Sequence, residues 1–165
     1  MRAFEPAGDG EVRAVFEPVE AALLAQLAGQ VAGLLEERHG GAAADLAILR
    51  LLPDAYPDNA EASAEFRRFT ADELSEKKLR NARILIADCT TAAEADAPTT
   101  IRLDSASVGA WLRSLTDVRL VLATRLGITE DGDVAPDDDQ EALMLTNVYD
   151  WLGFVQDSLV SALED

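Results

Sequence analysis

Apolar residues recur at helical spacing between Ser105 and Leu126, and this stretch predicts the helix around which the rest of the chain is organised. With about 100° between successive residues, one arc collects the large apolar side chains Val108, Trp111, Leu112, Leu115, Val118, Leu122 and Leu126. The later turns are apolar almost all round, which is typical of a helix in a protein interior. We expect Ser105 or Ser107 to cap its start and Gly127 to end it.

Further helices and a small sheet are predicted around this central helix. Apolar periodicity, together with proline and glycine at the ends, predicts helices over 18–38, 43–52, 60–89 and 138–163. Within 60–89, Thr70 and Glu73 have the spacing of a capping box that starts a new helical segment. Residues 1–16 alternate like a β-hairpin around the loop PAGDG, and 100–103 predicts a third short strand.

The fold class that follows is mainly α, a multi-helix domain around a central buried helix with a small N-terminal β-hairpin or three-stranded sheet. With 165 residues, the chain 1–165 is expected to form a single domain. It begins MRAFEPAGDG without an apolar leader, and no apolar stretch approaches the roughly 20 residues of a membrane span. We therefore expect a cytoplasmic protein without membrane association.

Two basic residues interrupt apolar helical faces. Arg119 lies within the apolar arc of the central helix, and Lys78 lies within the apolar arc of the preceding one. A charged group in such a position needs a carboxylate or a route to water. The sequence therefore predicts buried ion pairs for both, and an anion-binding pocket is the alternative. The candidate carboxylate partners are Glu65, Asp54 and Asp150.

Charge is the outlier in the composition. The chain has 14 Lys and Arg against 31 Asp and Glu, a net charge of −17, which repels a phosphate backbone at long range. The stretch 65–83 differs, with a net charge of +2 against −19 for the rest. It is arranged as a short helix, a turn and a basic helix, and its interleaved acids favour a salt-bridged surface as the alternative to DNA contact. The candidate DNA-binding residues are Arg67, Arg68, Lys77, Arg80 and Arg83.

The last predicted helix has large apolar residues on the side opposite to its main apolar stripe. Leu143, Trp151 and Phe154 lie there. Such a face on an acidic chain is typical of a surface for a protein partner or for a homodimer. The alternative is that the sheet or the first helix covers it.

The chain offers little material for catalysis or metal binding. Cys89 is the only cysteine and His39 the only histidine, so neither an internal disulfide nor a Cys/His zinc site can form within one chain. Nucleotide-binding, hydrolase and zinc-protease motifs are absent from the sequence. We expect a protein that is not an enzyme and has no cofactor or bound metal. Cys89 is a redox candidate only through intermolecular chemistry, and an inert core thiol is the alternative.

Three long stretches resemble an actinobacterial family of small acidic helical proteins that is known mainly as a domain of unknown function. They are ILRLLPDAYPDNAEASAEFRRFTADELSEKKLRNA over 48–82, AWLRSLTDVRLVLATRLGI over 110–128 and YDWLGFVQDSLVSAL over 149–163. The best-described role in that family is oxidative stress transcriptional regulation in actinomycetes, associated with thiol redox sensing and a sigma-factor partner. This chain departs from that role because an intrachain disulfide switch needs two cysteines.

The resemblance implies a cytoplasmic, non-enzymatic regulatory protein. We expect it to act through protein partners, with a sigma factor implied by the family, and direct DNA contact through 67–83 stays open. The alternative is an interaction adaptor or dimeric scaffold that does not bind DNA and uses the last helix.

Overall fold

The fold is described by a computed structural model over residues 1–37, 46–53, 58–66, 70–128 and 140–164. The strands are β1 (Glu5–Gly8), β2 (Glu11–Phe16) and β3 (Thr99–Leu103). The helices in these ranges are α1 (Pro18–Glu37), α2 (Leu46–Leu51), α3 (Ala60–Phe66), α4 (Asp72–Ala93), α5 (Ser105–Arg125) and α6 (Gln140–Glu164). The prediction of a mainly helical fold with a small three-stranded sheet is confirmed.

The three strands form one antiparallel sheet in the order β1-β2-β3. Alternation places Val12, Ala14 and Phe16 of β2 in the core, as period-two side-chain placement requires. The predicted long hairpin loop is wrong, because β1 continues to Gly8 and only Asp9 and Gly10 connect the strands. Both connecting residues have positive φ, 53° and 78°, the sign that a type I′ turn needs to match the strand twist.

Helix α5 is the centre of the fold, as its sequence predicted. It contacts α1, α2, α4, α6 and β3, and its apolar arc is buried or half-buried. The predicted serine cap is wrong, because Asp104 is the N-cap and its carboxylate accepts a hydrogen bond from the Ser107 N–H at 2.8 Å. An ionised oxygen near the positive helix terminus makes aspartate as good a cap as serine. Gly127 follows the helix with φ 70°, as a terminating glycine should.

An aromatic cluster joins the sheet to α5. The rings of Phe4, Phe16 and Trp111 lie with centroids 5.9 to 6.0 Å apart. The indole N–H of Trp111, which is fully buried, donates to Asp88 Oδ2 on α4 at 2.8 Å. Burial raises the pKa of Asp88, and the indole hydrogen bond partly opposes this shift. The cluster therefore holds the residue before β1, the end of β2, α4 and α5 against one another.

Helix α4 does not start at a capping box. Its N-cap is Ala71, without a side-chain cap, and Glu73 instead pairs with Lys77 one turn later. The Thr70–Glu73 prediction is therefore wrong, because residue 70 already lies in a helical turn ahead of α4. The helix also continues to Ala93, past the predicted end at Cys89.

Helix α1 packs against α4 and α5. By length and composition it could cross a membrane, which corrects the expectation that no stretch approaches that length. Seven of its residues are buried, with Leu24, Val31 and Leu35 among the least exposed. A core helix has this composition too, and the contacts of α1 within the fold are those of a core helix.

Candidate functional site

Lys78 is paired with a residue of the central helix. Its ammonium nitrogen lies 2.5 Å from Asp117 Oδ1 on α5, with the two side chains 18% and 4% exposed. Burial raises the pKa of Asp117, and the hydrogen bond and positive charge of Lys78 oppose that shift. The sequence predicted a buried ion pair for Lys78 but not this partner. Of the three candidate carboxylates, Glu65 and Asp150 are exposed, and Asp54 lies outside the described residues. Asp117 was missed because it lies on the side of α5 opposite the predicted apolar arc, where a carboxylate is expected to face solvent.

Arg119 is held by an amide and a ring. Its Nη1 donates to Gln156 Oε1 at 3.0 Å, and its Cζ lies 4.7 Å from the centroid of the Tyr149 ring on α6. Gln156 in turn donates from Nε2 to Thr116 Oγ1 at 2.9 Å. Within the described residues no carboxylate lies at ion-pair distance from Arg119, in contrast to the predicted ion pair. Its Nε is buried without a hydrogen-bond partner in the described structure.

Lys78, and Gln156 to which Arg119 donates, line a groove between α4, α5 and α6. The groove has a volume of about 650 Å³. It is lined by Leu74, Lys77, Lys78 and Asn81 of α4, by Leu112, Arg113, Thr116 and Asp117 of α5, and by Gln156 and Val160 of α6. A concave site with apolar walls and a few fixed polar groups has the general form of a small-molecule site.

The candidate DNA-binding residues of α4 share its outer face. Lys77, Arg80 and Arg83 fall within one arc at helical spacing, and all three are exposed. Lys77 is 2.7 Å from Glu73, and Arg83 Nη2 is 2.9 Å from Glu36 on α1. The face is therefore largely neutralised by its own carboxylates. Arg67 and Arg68 lie outside the described residues.

The outer face of α6 presents an apolar patch. Leu143 is 52% exposed, Phe154 is 47% exposed, and Trp151 is half-buried against the core. Met144, 63% exposed, extends this surface and was missed by reasoning from the apolar stripe alone. We refer to these four residues as the α6 patch. It runs over the 12 residues 143–154, about 16 Å of helix axis.

Cys89 is a core residue of α4. Its side chain is fully buried, and burial together with the negative charge of Asp88 raises its pKa to about 12. The thiolate is the reactive form, so a thiol with this pKa is unreactive near neutral pH. Among the residues that the structure describes, no cluster of three or more His, Cys, Asp or Glu could hold a metal ion.

Comparison with known proteins shows which relatives and which family this chain resembles. Two curated relatives, from Mycobacterium tuberculosis and Mycobacterium bovis, are named oxidative stress regulator AosR. Each is 28% identical over 177 residues, covering 92% of this chain and 81% of the relative. A Mycobacterium leprae protein is 29% identical over 96% of this chain and 85% of its own length. No solved structure matches the chain significantly. The profile of the family described as a domain of unknown function, DUF2017, matches residues 1–163, and the chain belongs to that family.

Proposed function

We propose that this chain is a non-enzymatic, cytoplasmic regulatory protein that acts by binding a protein partner at the α6 patch. The relatives named oxidative stress regulators support the regulatory role. The family resemblance makes a sigma factor the first partner to test. The single histidine and single cysteine, and the lack of catalytic motifs, support a role without catalysis.

The observation that carries the proposal is the exposure of the α6 patch. Apolar side chains that stay exposed on a strongly charged chain mark interaction surfaces, and aromatic residues contribute most to binding energy there. Trp151 supplies a ring anchored against the core, and Phe154 a ring that is nearly half exposed. A partner helix or groove could bury both rings with little rearrangement of this chain.

Direct DNA contact by the outer face of α4 is the second candidate function. The alignment of Lys77, Arg80 and Arg83 on one exposed face supports it. Two of these three cations already pair with carboxylates, so fewer charges are available to phosphates. The net charge of −17 also opposes a long-range approach to DNA.

The redox part of the family role is not supported by an accessible thiol here. Cys89 is buried and protonated, and an internal disulfide is impossible with one cysteine. We propose that oxidative signals reach this chain through its partner or through another chemical group.

The test compares the protein with the double variant Leu143→Ser/Phe154→Ser. Sedimentation velocity is run on the protein alone and with purified sigma factors of the same organism. We expect a complex that the double variant weakens by about tenfold or more. Leu46→Ser and Leu49→Ser together form the matched control, because both residues are exposed and lie on α2. This control should leave the complex unchanged.

Other results would redirect the proposal. A homodimer that the α6 variant dissociates, without any sigma-factor complex, would favour the scaffold alternative. A salt-sensitive shift of promoter DNA that Lys77→Glu/Arg80→Glu abolishes would favour DNA binding by α4. A partner complex that is insensitive to the α6 variant would contradict the proposed surface.

A further inference from the structure

The groove between α4, α5 and α6 concentrates positive charge on an acidic chain. Among its described lining residues, Lys77, Lys78 and Arg113 are cationic and Asp117 is the one carboxylate, and Glu73 of α4 pairs with Lys77. With Glu73 included, this group carries a net charge of +1, and the remainder of the chain carries −18. A local cationic site in a negative field selects small anions that reach it at short range, because long-range attraction is absent.

The walls of the groove are apolar and come from three helices. Leu74, Leu112 and Val160 contribute one side chain each from α4, α5 and α6. The volume of about 650 Å³ lies within the range of small-molecule sites. A phosphate backbone would leave these apolar walls unused, whereas an anion with a short apolar group would cover them.

The cations of the groove are held in place before any ligand arrives. Asp117 fixes the Lys78 ammonium, which has three N–H donors, so two remain for an anion. Arg113 Nη1 donates to the Gly109 carbonyl at 3.1 Å, which orients the guanidinium and leaves its other N–H groups available. Gly109 permits this position, since a Cβ there would lie 3.0 Å from Arg113 Nη1.

The opposite wall is also fixed. Gln156 uses both ends of its amide, accepting from Arg119 and donating to Thr116, so α5 and α6 are joined beside the groove. Fixed walls lower the entropic cost of binding.

From these observations we propose that the groove binds a small organic anion, a carboxylate or phosphate that carries a short apolar group. Lys78 and Arg113 bind the anionic end, and Leu74, Leu112 and Val160 contact the apolar part. The site is separate from the α6 patch, so this proposal and the proposed function can fail independently.

The test is an isothermal titration of the full chain with hexanoate and, separately, with hexyl phosphate. These two arms decide between a carboxylate and a phosphate ligand, and binding of either supports the site. Hexylamine tests the charge requirement, and inorganic phosphate tests the apolar one. We expect binding of a hexyl anion to be stronger than that of inorganic phosphate and hexylamine not to bind.

Charge-reversal variants locate the binding. Arg113→Glu should weaken the binding affinity for the hexyl anion by about tenfold, which corresponds to the loss of one charged hydrogen bond. Arg80→Glu is the matched control, because Arg80 is exposed on α4 outside the groove and its reversal changes the net charge equally. It should leave the affinity within about twofold. Both variants alter exposed residues, and thermal unfolding checks that they fold.

The proposal is overturned by any of three results. Neither hexyl anion binds at millimolar concentration, hexylamine binds as well as hexanoate, or Arg113→Glu and Arg80→Glu weaken binding to the same extent. The last result would show a non-specific response to net charge.

Discussion

Lys78 and Arg119 occupy similar places, each a cation at the interface of α5 with a neighbouring helix, and the fold satisfies them in different ways. Lys78 pairs with the carboxylate of Asp117 at 2.5 Å. Arg119 lies over the Tyr149 ring and donates to the Gln156 amide, without a carboxylate among the described residues. An ammonium is a compact, strongly hydrated charge, whereas a guanidinium is planar, weakly hydrated and able to stack on a ring. The difference teaches that an interrupted apolar arc predicts burial, while side-chain chemistry decides the kind of partner.

The largest expected effect comes from breaking the Lys78 pair. Asp117→Leu leaves a mostly buried ammonium without its counter-charge, and we expect a loss of about 3 kcal/mol in the free energy of unfolding. Urea denaturation measures it. The double variant Lys78→Met/Asp117→Leu removes both charges and should lie within about 1 kcal/mol of the original protein. Equal losses in the single and double variants would show that Lys78 is not tied to Asp117.

A smaller effect is expected at Arg119. Arg119→Leu removes the ring contact and the hydrogen bond to Gln156 but leaves no buried charge behind, so the loss should be about 1–2 kcal/mol. Arg119→Lys keeps the charge but not the planar group, and it should not restore the stability. Full recovery in the lysine variant, measured by urea denaturation, would show that charge alone matters there.

The pH dependence of stability separates the two sites further. The folded-state pKa of Asp117 is raised above its ordinary value of 3.8 by burial. Between pH 3.8 and this raised pKa, Asp117 is more protonated in the folded chain than in the unfolded one, so stability falls as pH rises. Asp117→Asn cannot titrate, and its stability relative to the original protein should improve as pH rises through that window. Urea denaturation at a series of pH values measures the gap, and a gap that widens with pH would contradict the raised pKa.

Cys89 extends the comparison to a buried, uncharged side chain of α4. Burial and the nearby Asp88 carboxylate raise its pKa to about 12. Iodoacetamide should therefore alkylate it only when the chain unfolds, at a rate set by the concentration of urea. Mass spectrometry follows the reaction. Rapid alkylation of the native protein would reopen a thiol-based redox role.

The smallest effect is expected one residue from Lys78. Lys77 is exposed and pairs with Glu73 on the same exposed face. Lys77→Ala should leave stability unchanged within the error of urea denaturation, because water screens exposed pairs. A loss as large as that of Asp117→Leu would show that burial is not what distinguishes the two neighbouring lysines.

Much of the fold was predictable because local patterns carry it. The apolar arc of 105–126 and the alternation of β2 each bury one face, and the structure places both in the core. Local rules failed at two places, the start of α5 and the turn of the hairpin. Asp104 caps α5 in place of a serine, and Asp9 and Gly10 alone close the hairpin. At the start of α5, several oxygen-bearing residues lay at suitable positions for the N-cap, and packing decides which of them caps the helix.

The sequence by itself determined that this chain is a helical, acidic protein organised around one buried helix, with one cysteine and inward-facing cations at 78 and 119. These properties follow from periodicity and composition, which each residue carries locally. Only the tertiary structure decided that Asp117 neutralises Lys78, that Tyr149 and Gln156 receive Arg119, and that three helices enclose a cationic groove. The Lys78–Asp117 and Arg119–Gln156 contacts join residues 39 and 37 positions apart in the chain, because helix packing brings them together.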